Sequence, residues 1–168
     1  MNNIFGMRNR IRELYRRAGY GVGQTAPLEY QVRSWINYSR DYIAAAAKVK
    51  DDMRLWLPRM QLTGQAVECA LKACLVAAEV TPPRHHDLVE LSHLVTKHGY
   101  TLSERDAAWI VHVNNYFYED LTTSTRYKAR YPAENWEMLG GTVPRQEDCA
   151  ALVRSLCDQA RAKRPWPK

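Results

Sequence analysis

Arg105 and His112 are the two side chains whose types and spacing best suit chemistry on a phosphodiester. Because they lie seven positions apart, a helix would place them on nearly the same face, about 10 Å apart along its axis. A guanidinium can hold a phosphate, and an imidazole can move the proton of an attacking hydroxyl. Trp109 and Tyr116 continue this stripe and offer rings on which bases could stack. On one face of a helix, both side chains would lie within reach of one RNA backbone; the alternative is that His112 is a structural histidine at the edge of the core.

A second candidate site is a short cationic segment, residues 126–131, which contains Arg126, Lys128, Arg130 and Tyr131. Three cations within five residues could clasp the phosphate of a nucleotide or nucleic acid, and a neighbouring tyrosine could stack on its base. The alternative is that an arginine of this segment ties a loop to a carboxylate. The composition of this segment therefore predicts the binding of a phosphate-bearing ligand. It does not indicate whether the protein also catalyses a reaction.

Lys72 and His86 complete the candidate phosphate-binding set. Lys72 follows Glu68 by four positions, a spacing that also allows an ion pair along one helix. His86 precedes Asp87, and the two side chains could orient each other towards the cationic segment. The simpler interpretation of Asp87 is that it caps the helix that follows.

The charge and composition of the chain exclude several classes of protein. The chain has 168 residues, of which 46% are hydrophobic and 25% charged, as expected for one globular domain. No apolar run approaches the roughly 18 residues that a membrane span needs, so we expect a cytoplasmic protein without membrane insertion. Much of the net charge of +6 comes from residues 1–20, which hold five arginines against one glutamate. Such a basic arm can attract polyanions or simply aid solubility.

The four cysteines and five histidines do not show the spacing of a metal site. No pair of cysteines has the form CxxC, so four reduced, mostly buried thiols are predicted. We predict neither a metal nor a cofactor. The sequence also lacks the motifs of a nucleotide-binding P-loop and of a serine–histidine–acid triad.

Hydrophobic periodicity predicts an all-α protein, an up-and-down bundle of four to five helices with a basic N-terminal helical arm. The arm and a glycine-rich linker would occupy residues 1–27, the bundle 28–164 and a tail 165–168. The most buried helix should be the second, from its unbroken apolar stripe: Leu62, Ala66, Cys69, Ala73, Val76 and Val80. Helix boundaries are predicted from an N-cap at Asp87, a C-terminal Gly99 and a capping box from Ser103 to Asp106.

Four motifs in a fixed order resemble the HEPN family, the higher eukaryote and prokaryote nucleotide-binding domains. The first is residues 65–73, QAVECALKA, which is similar to the signature second helix of that family. The others are His86-Asp87-Leu88, Leu102-Ser103 and Arg130-Tyr131-Pro132. Each motif is loose by itself, and the resemblance spans roughly residues 30–135.

The resemblance implies a helical bundle that commonly forms a homodimer. Prokaryotic members include partners of a minimal nucleotidyltransferase in toxin–antitoxin pairs, ribonucleases of defence systems with an Arg-x(4–6)-His motif, and non-catalytic units. Arg105 to His112 fits that motif in this sequence. Our first expectation is a HEPN-like domain that binds a nucleotide, a nucleic acid or a nucleotidyltransferase partner. The first alternative is a metal-independent RNA endonuclease that acts as a homodimer through Arg105 and His112, and the second is a structural adaptor.

Overall fold

Five helices make up the described part of the protein, as the all-α prediction required. The computed structural model describes residues 26–49, 55–117 and 145–166. The helices are α1 (Leu28–Lys48), α2 (Trp56–Ala77), α3 (Leu88–Lys97), α4 (Glu104–Phe117) and α5 (Gln146–Lys163). No helix among these residues is long and apolar enough to cross a membrane.

Helix α2 is the central element and packs against the other four. Every residue from Ala66 to Ala77 is buried, so this helix is enclosed on all sides over its second half. Leu71 and Leu75 are fully buried in the main core. The prediction that the second helix is the most buried is confirmed. The same enclosure places Glu68 and Lys72 in the interior, where a charge needs a partner.

Helices α1 and α2 run in opposite directions and approach closely. The Ser39 hydroxyl of α1 donates a hydrogen bond of 2.7 Å to the Ala66 carbonyl of α2. The start of α1, at Leu28, shares a cavity with Val76, near the end of α2. The fully buried side chains of α1 are Val32, Ile36, Ser39 and Ala46. The small Ser39 hydroxyl, which bonds to the facing backbone, lets the two helices pack closely.

Helix α5 runs in the same direction as α2. The Cys74 thiol donates to the Leu156 carbonyl over 3.4 Å, and Arg164 Nε donates to the Ala77 carbonyl over 3.4 Å. Helix α4 runs the other way. Its last turn meets the start of α2, and the residues before its start bond to the end of α5 through Thr101 and Gln159. The four longer helices therefore alternate in direction, as expected for an up-and-down bundle.

Helix α3 lies between α2 and α4 in the chain and runs parallel to α2. Just before α3, His86 contacts Glu68 in the middle of α2. Just after its last turn, the His98 carbonyl accepts a hydrogen bond from Lys163 at the end of α5. Residues 78–87 must therefore return along α2 before α3 starts. This return brings His86 from the far end of α2 back to its buried centre.

The predicted helix ends are confirmed. Asp87 caps α3, since its Oδ1 accepts from the backbone N–H groups of Val89 and Glu90. Gly99 has a φ of +84°, the left-handed conformation typical of a helix C-terminus. Ser103 and Asp106 exchange backbone and side-chain hydrogen bonds in a capping box. The predicted arm and linker, apart from residues 26–27, lie outside the described residues.

Candidate functional site

A buried cluster of three charged or titratable side chains, Glu68, Lys72 and His86, joins α2 to the segment before α3. We call it the Glu68 cluster. Lys72 Nζ lies 2.7 Å from Glu68 Oε1, and the two side chains are only 7% and 6% exposed. His86 Nδ1 lies 2.9 Å from Glu68 Oε1 and 3.0 Å from Oε2. The Glu68 carboxylate therefore accepts hydrogen bonds from both Lys72 and His86. These bonds offset the free-energy cost of burying the carboxylate.

The Lys72 ammonium already has partners in several directions. Besides Glu68, it donates to the His85 carbonyl over 3.3 Å and lies 5.8 Å from the centre of the Trp35 ring. A phosphate could reach this ammonium only by displacing one of these contacts. The ion pair that the four-residue spacing allowed is thus present, and it gives Lys72 a structural role inside the bundle.

His86 is held in one orientation by its neighbours. Because Nδ1 faces the carboxylate, this nitrogen carries a proton, and the second ring nitrogen lies at the far end of the ring. The side chain is 34% exposed, although the carboxylate beneath it is buried. The ring also packs edge-on against Phe117, with centroids 6.4 Å apart. A fixed imidazole thus connects the buried carboxylate to the surface.

The residues after His86 are fixed by α4. Asn114 Oδ1 accepts the backbone N–H of Leu88 over 2.8 Å, and Asn114 Nδ2 donates to Asp87 Oδ1 over 3.5 Å. Asp87 itself caps α3. Glu68, which is 18 residues away from His86 in sequence, orients the ring.

A second group of side chains, the aromatic row, lies along α4 and ends at the start of α2. It consists of Trp109, His112, Tyr116 and Trp56. The ring centroids of Trp109 and His112 are 6.1 Å apart, those of His112 and Tyr116 are 5.3 Å apart, and those of Tyr116 and Trp56 are 4.7 Å apart. Each neighbouring pair meets edge to face, the arrangement that aromatic rings favour.

Three nitrogen atoms of the aromatic row are buried without a hydrogen-bond partner among the described residues: Trp56 Nε1, Trp109 Nε1 and His112 Nε2. Burial lowers the pKa of His112 from its usual value, because the surroundings disfavour a charged ring. His112 is accordingly neutral at physiological pH. His112 lies at the edge of the core, as the alternative structural interpretation predicted. Its Nε2 atom, however, has no hydrogen-bond partner among the described residues.

Arg105 takes part in a different contact at the start of α4. Its Nη2 lies 2.6 Å from Asp148 Oδ1 near the start of α5, and Arg145 Nε lies 3.2 Å from Asp148 Oδ2. Partial burial tends to raise the pKa of Asp148, but hydrogen bonds from Arg145 and Arg105 outweigh it and lower that pKa. The two arginines join the starts of α4 and α5 through one carboxylate.

Arg105 and His112 share a helix but have different surroundings. The Arg105 side chain is 63% exposed and reaches towards α5, whereas His112 is half-buried between two aromatic rings. No described contact joins the two side chains. Within one chain they do not form a preassembled pair, although both reach the surface of α4.

The cysteines do not form a reactive group. All four are free and buried, which confirms the prediction of reduced, buried thiols. Burial raises the pKa of Cys69 and Cys149 to about 12 and that of Cys157 to about 11, so they stay protonated. Among the described residues, no group of three or more histidine, cysteine or acidic side chains could hold a metal ion.

The fold and the order of the motifs can now be compared with known proteins. The model of the HEPN domain family matches residues 32–161, more than three quarters of the chain. The chain belongs to the HEPN family. Searches of curated proteins and of solved structures gave no match. As a HEPN protein, it is a helical domain of a type related to nucleotides and RNA.

The HEPN resemblance located some of the side chains of this region and missed others. It included Lys72 and His86, which the structure brings together on Glu68. The predicted Arg126, Lys128, Arg130 and Tyr131 lie outside the described residues. Trp56 and Asp148 were not predicted, because only the packing of α2 and α5 against α4 brings them to their partners.

Proposed function

We propose that this HEPN domain binds a phosphate-bearing ligand, a nucleotide or RNA, through residues 126–131 and the aromatic row. The cations of the segment would hold the phosphate. The rings of Trp109 and His112 would stack on a base, since both side chains are only partly buried. Binding in this form requires no chemistry from the protein.

The observation that carries the proposal is the set of buried nitrogens in the aromatic row that have no hydrogen-bond partner within residues 26–49, 55–117 and 145–166. Each buried polar atom without a partner costs about 1–3 kcal/mol, a cost that packing alone does not explain. A base edge or a bridging water can pair with such atoms. The row runs along α4, and Arg126 follows Phe117, the last residue of α4, by nine residues in the sequence.

The charges of the described residues also support the cationic segment as the phosphate contact. Lys72 is bound to a buried carboxylate, and Arg105 is bound to Asp148. Each of these cations already neutralises a carboxylate, which weakens its attraction for a phosphate. The predicted cations at Arg126, Lys128 and Arg130 remain the candidates that follow directly from the sequence.

The test is a binding titration monitored by fluorescence anisotropy, with a labelled single-stranded RNA dodecamer and, separately, a labelled ATP analogue. The variant replaces Arg126, Lys128 and Arg130 with alanine. Its matched control replaces three exposed cations elsewhere, Arg40, Lys97 and Arg154, and so has the same net charge. We expect the first variant to weaken binding at least tenfold more than the control, because positioned cations contribute more than net charge.

Equal weakening of binding in the two triple variants would contradict the proposal, since it would mean that binding depends only on overall charge. Trp109→Leu provides a second arm, because leucine keeps the apolar bulk but removes the stacking ring. A loss of several-fold is expected there, as base stacking on an aromatic ring contributes about 1–3 kcal/mol.

A second candidate function is RNA cleavage through Arg105 and His112. The neutral state of His112 favours it, because a neutral imidazole can accept the proton of a 2′-hydroxyl. Arg105 would have to leave Asp148 to hold the scissile phosphate. If the domain is such a ribonuclease, His112→Ala will abolish cleavage in EDTA and leave the helix content unchanged. RNA left intact by the wild-type protein in EDTA would rule this candidate out.

The family also provides hypotheses about partners. A homodimer is proposed because HEPN domains often dimerise, and sedimentation at several concentrations tests it. A nucleotidyltransferase partner in a toxin–antitoxin system is proposed on the resemblance alone, and co-purification with the product of a neighbouring gene tests that. A domain that binds no nucleotide, RNA or partner enzyme would be a structural adaptor.

A further inference from the structure

The Asp148 carboxylate is bound by two arginine side chains from different parts of the chain. Arg105 Nη2 lies 2.6 Å from Oδ1, and Arg145 Nε lies 3.2 Å from Oδ2. The two guanidinium groups therefore converge on one pair of oxygen atoms that share a single negative charge. A phosphodiester also has two non-bridging oxygens that share one negative charge, and arginine binds both kinds of anion through charge-assisted hydrogen bonds. The observed geometry is thus one in which two arginines hold a single oxyanion.

The exposure of the three side chains determines which of them an external ligand can reach. The side chains of Arg105 and Arg145 are 63% and 65% exposed, whereas that of Asp148 is 13% exposed. An arginine has five N–H donors. Among the described residues, each of the two guanidinium groups uses one of these donors, and it does so on Asp148. A phosphate from solvent can therefore bind outer donors of both arginines before the carboxylate leaves.

Arg105 also adjoins the aromatic row. It precedes Trp109 by four residues on α4. Side chains at this spacing are neighbours on the surface of a helix, with Cβ atoms about 5–6 Å apart. A ligand whose base stacks on Trp109 would accordingly place a phosphate near the Arg105 guanidinium.

We propose that Asp148 is an intramolecular competitor for a phosphodiester of bound RNA, which replaces the carboxylate on Arg105 and Arg145. This inference rests on the proposed function and adds to it a second phosphate contact, which a carboxylate of the chain itself regulates. Without RNA, Asp148 neutralises one of the two positive charges. The exchange breaks the two hydrogen bonds to the carboxylate and replaces them with hydrogen bonds to the phosphate oxygens. Asp148 therefore lowers the affinity for RNA, and its neutralisation raises that affinity.

Two acidic side chains adjacent in sequence also repel a phosphate. Glu104 precedes Arg105, Glu147 precedes Asp148, and both glutamates are exposed. The loss of any such negative charge strengthens the attraction for a polyanion, to an extent that salt screens. An experiment must therefore separate the loss of a charge from the release of the arginines. Glu147→Gln is the matched control, because it removes the same charge at the neighbouring position of α5, where the described residues show no ion pair.

The test measures the affinity of a labelled single-stranded RNA dodecamer by fluorescence anisotropy at constant pH and salt. Asp148→Asn should bind roughly threefold to tenfold more tightly than wild type, because two exposed ion pairs no longer compete with the phosphate. Asp148→Ser, a second neutral variant, should behave in the same way. Glu147→Gln should change the affinity less than about twofold, as expected for one screened charge. Thermal melting verifies that each variant is folded.

The same titrations are repeated in the background Arg105→Gln/Arg145→Gln. Glutamine keeps a polar side chain but removes the positive charge, so the gain from Asp148→Asn should disappear there. A gain that persists without the two arginines would overturn the inference, because it would arise from overall charge.

The remaining outcomes separate this inference from the proposed function. Equal gains in Asp148→Asn and Glu147→Gln, or no gain in either neutral variant of Asp148, would overturn the inference. If the wild-type protein still binds RNA in these cases, the proposed function is intact. No RNA binding by any of the proteins would overturn both.

Discussion

His86 and His112 both contact the last turn of α4, but their other neighbours differ. His86 contacts the buried carboxylate of Glu68. His112 lies between Trp109 and Tyr116, and burial there lowers its pKa. The first ring is held by a charged partner. The second suits the acceptance of a proton or the stacking of a base.

This difference shows that a histidine in a sequence motif has no fixed role. His112 belongs to the Arg-x(4–6)-His pattern, but the pattern does not specify whether the ring is charged. For His112 that property depends on burial between Trp109 and Tyr116, which lowers the pKa of the ring. His86 is instead held by Glu68, which is 18 residues away in sequence. The following predictions test the contrast between the Glu68 cluster and the aromatic row.

The largest effect is expected from Glu68→Ala. This change leaves the Lys72 ammonium buried without its carboxylate, and breaking such a pair typically costs about 3–5 kcal/mol of unfolding free energy. Urea denaturation followed by circular dichroism measures the loss. The control Glu68→Gln/Lys72→Met should lose much less, because both members become neutral. A loss below about 1 kcal/mol in Glu68→Ala would show that the Lys72 charge reaches water.

The next largest effect is expected at Gly64, which separates the two regions. A Cβ at this position would overlap the ring of Phe117, the residue that packs against His86 and follows Tyr116 of the aromatic row. Glycine to alanine within a helix normally stabilises by about 1 kcal/mol. Here we expect a net loss of about 1–3 kcal/mol from overpacking.

The double variant Gly64→Ala/Phe117→Leu tests that explanation. The smaller leucine side chain makes room for the added methyl group. The double variant should therefore lose less free energy of unfolding than the two single variants lose in total. Additive losses would show that the close approach of Gly64 and Phe117 is not the cause.

A smaller effect concerns the pH dependence of stability. The pKa of His112 is lower in the folded state than in the unfolded state, so the unfolded chain binds more protons between the two values. His112 therefore makes its full contribution to the free energy of unfolding above about pH 6.5. That contribution is lost as the pH falls towards the pKa of the ring in the folded state. Melting temperatures of wild type and His112→Gln from pH 7.5 to 5.0 test this. The variant should lose less stability on acidification, and parallel curves would contradict the prediction.

The smallest effect is expected far from both histidines. Glu79 follows α2 with a φ of +62°, a conformation that costs about 1 kcal/mol for a residue other than glycine. Glu79→Gly should raise the free energy of unfolding by up to about 1 kcal/mol, because its ion pair with Arg164 is largely exposed and contributes little. Glu79→Ala, which keeps the strain but loses the ion pair, is the matched control. RNA affinity should be unchanged in both variants.

The sequence predicted the features that depend on residues close together in the chain, namely the helices and their ends. Apolar stripes located the helices, and Asp87, Gly99 and the Ser103–Asp106 box marked their ends, because these signals act within one turn. The Glu68–Lys72 ion pair followed from its spacing of four residues. The resemblance to the HEPN family was confirmed by the match over residues 32–161.

Contacts between distant residues could not be predicted in the same way. The bond from His86 to Glu68 depends on the return of residues 78–87 along α2, and no periodicity encodes such a path. The contact of Arg105 with Asp148 spans 43 positions. On α1, the burial of Ser39 depends on the Ala66 carbonyl of α2, 27 residues away, which accepts its hydroxyl. The roles proposed for Arg126, Lys128, Arg130 and Tyr131 stay predictions.

Both ends that flank residues 118–144 have contacts among the described residues. Phe117 is packed against Gly64 and His86, while Arg145 and Arg105 share Asp148 at the start of α5. With both anchors in place, the entropy of closing a connection grows slowly, by about 0.6 kcal/mol for each doubling of its length. The bundle should consequently tolerate exchange or lengthening of this connection with another sequence. Recognition could then diversify between related proteins while the scaffold that carries it stays the same.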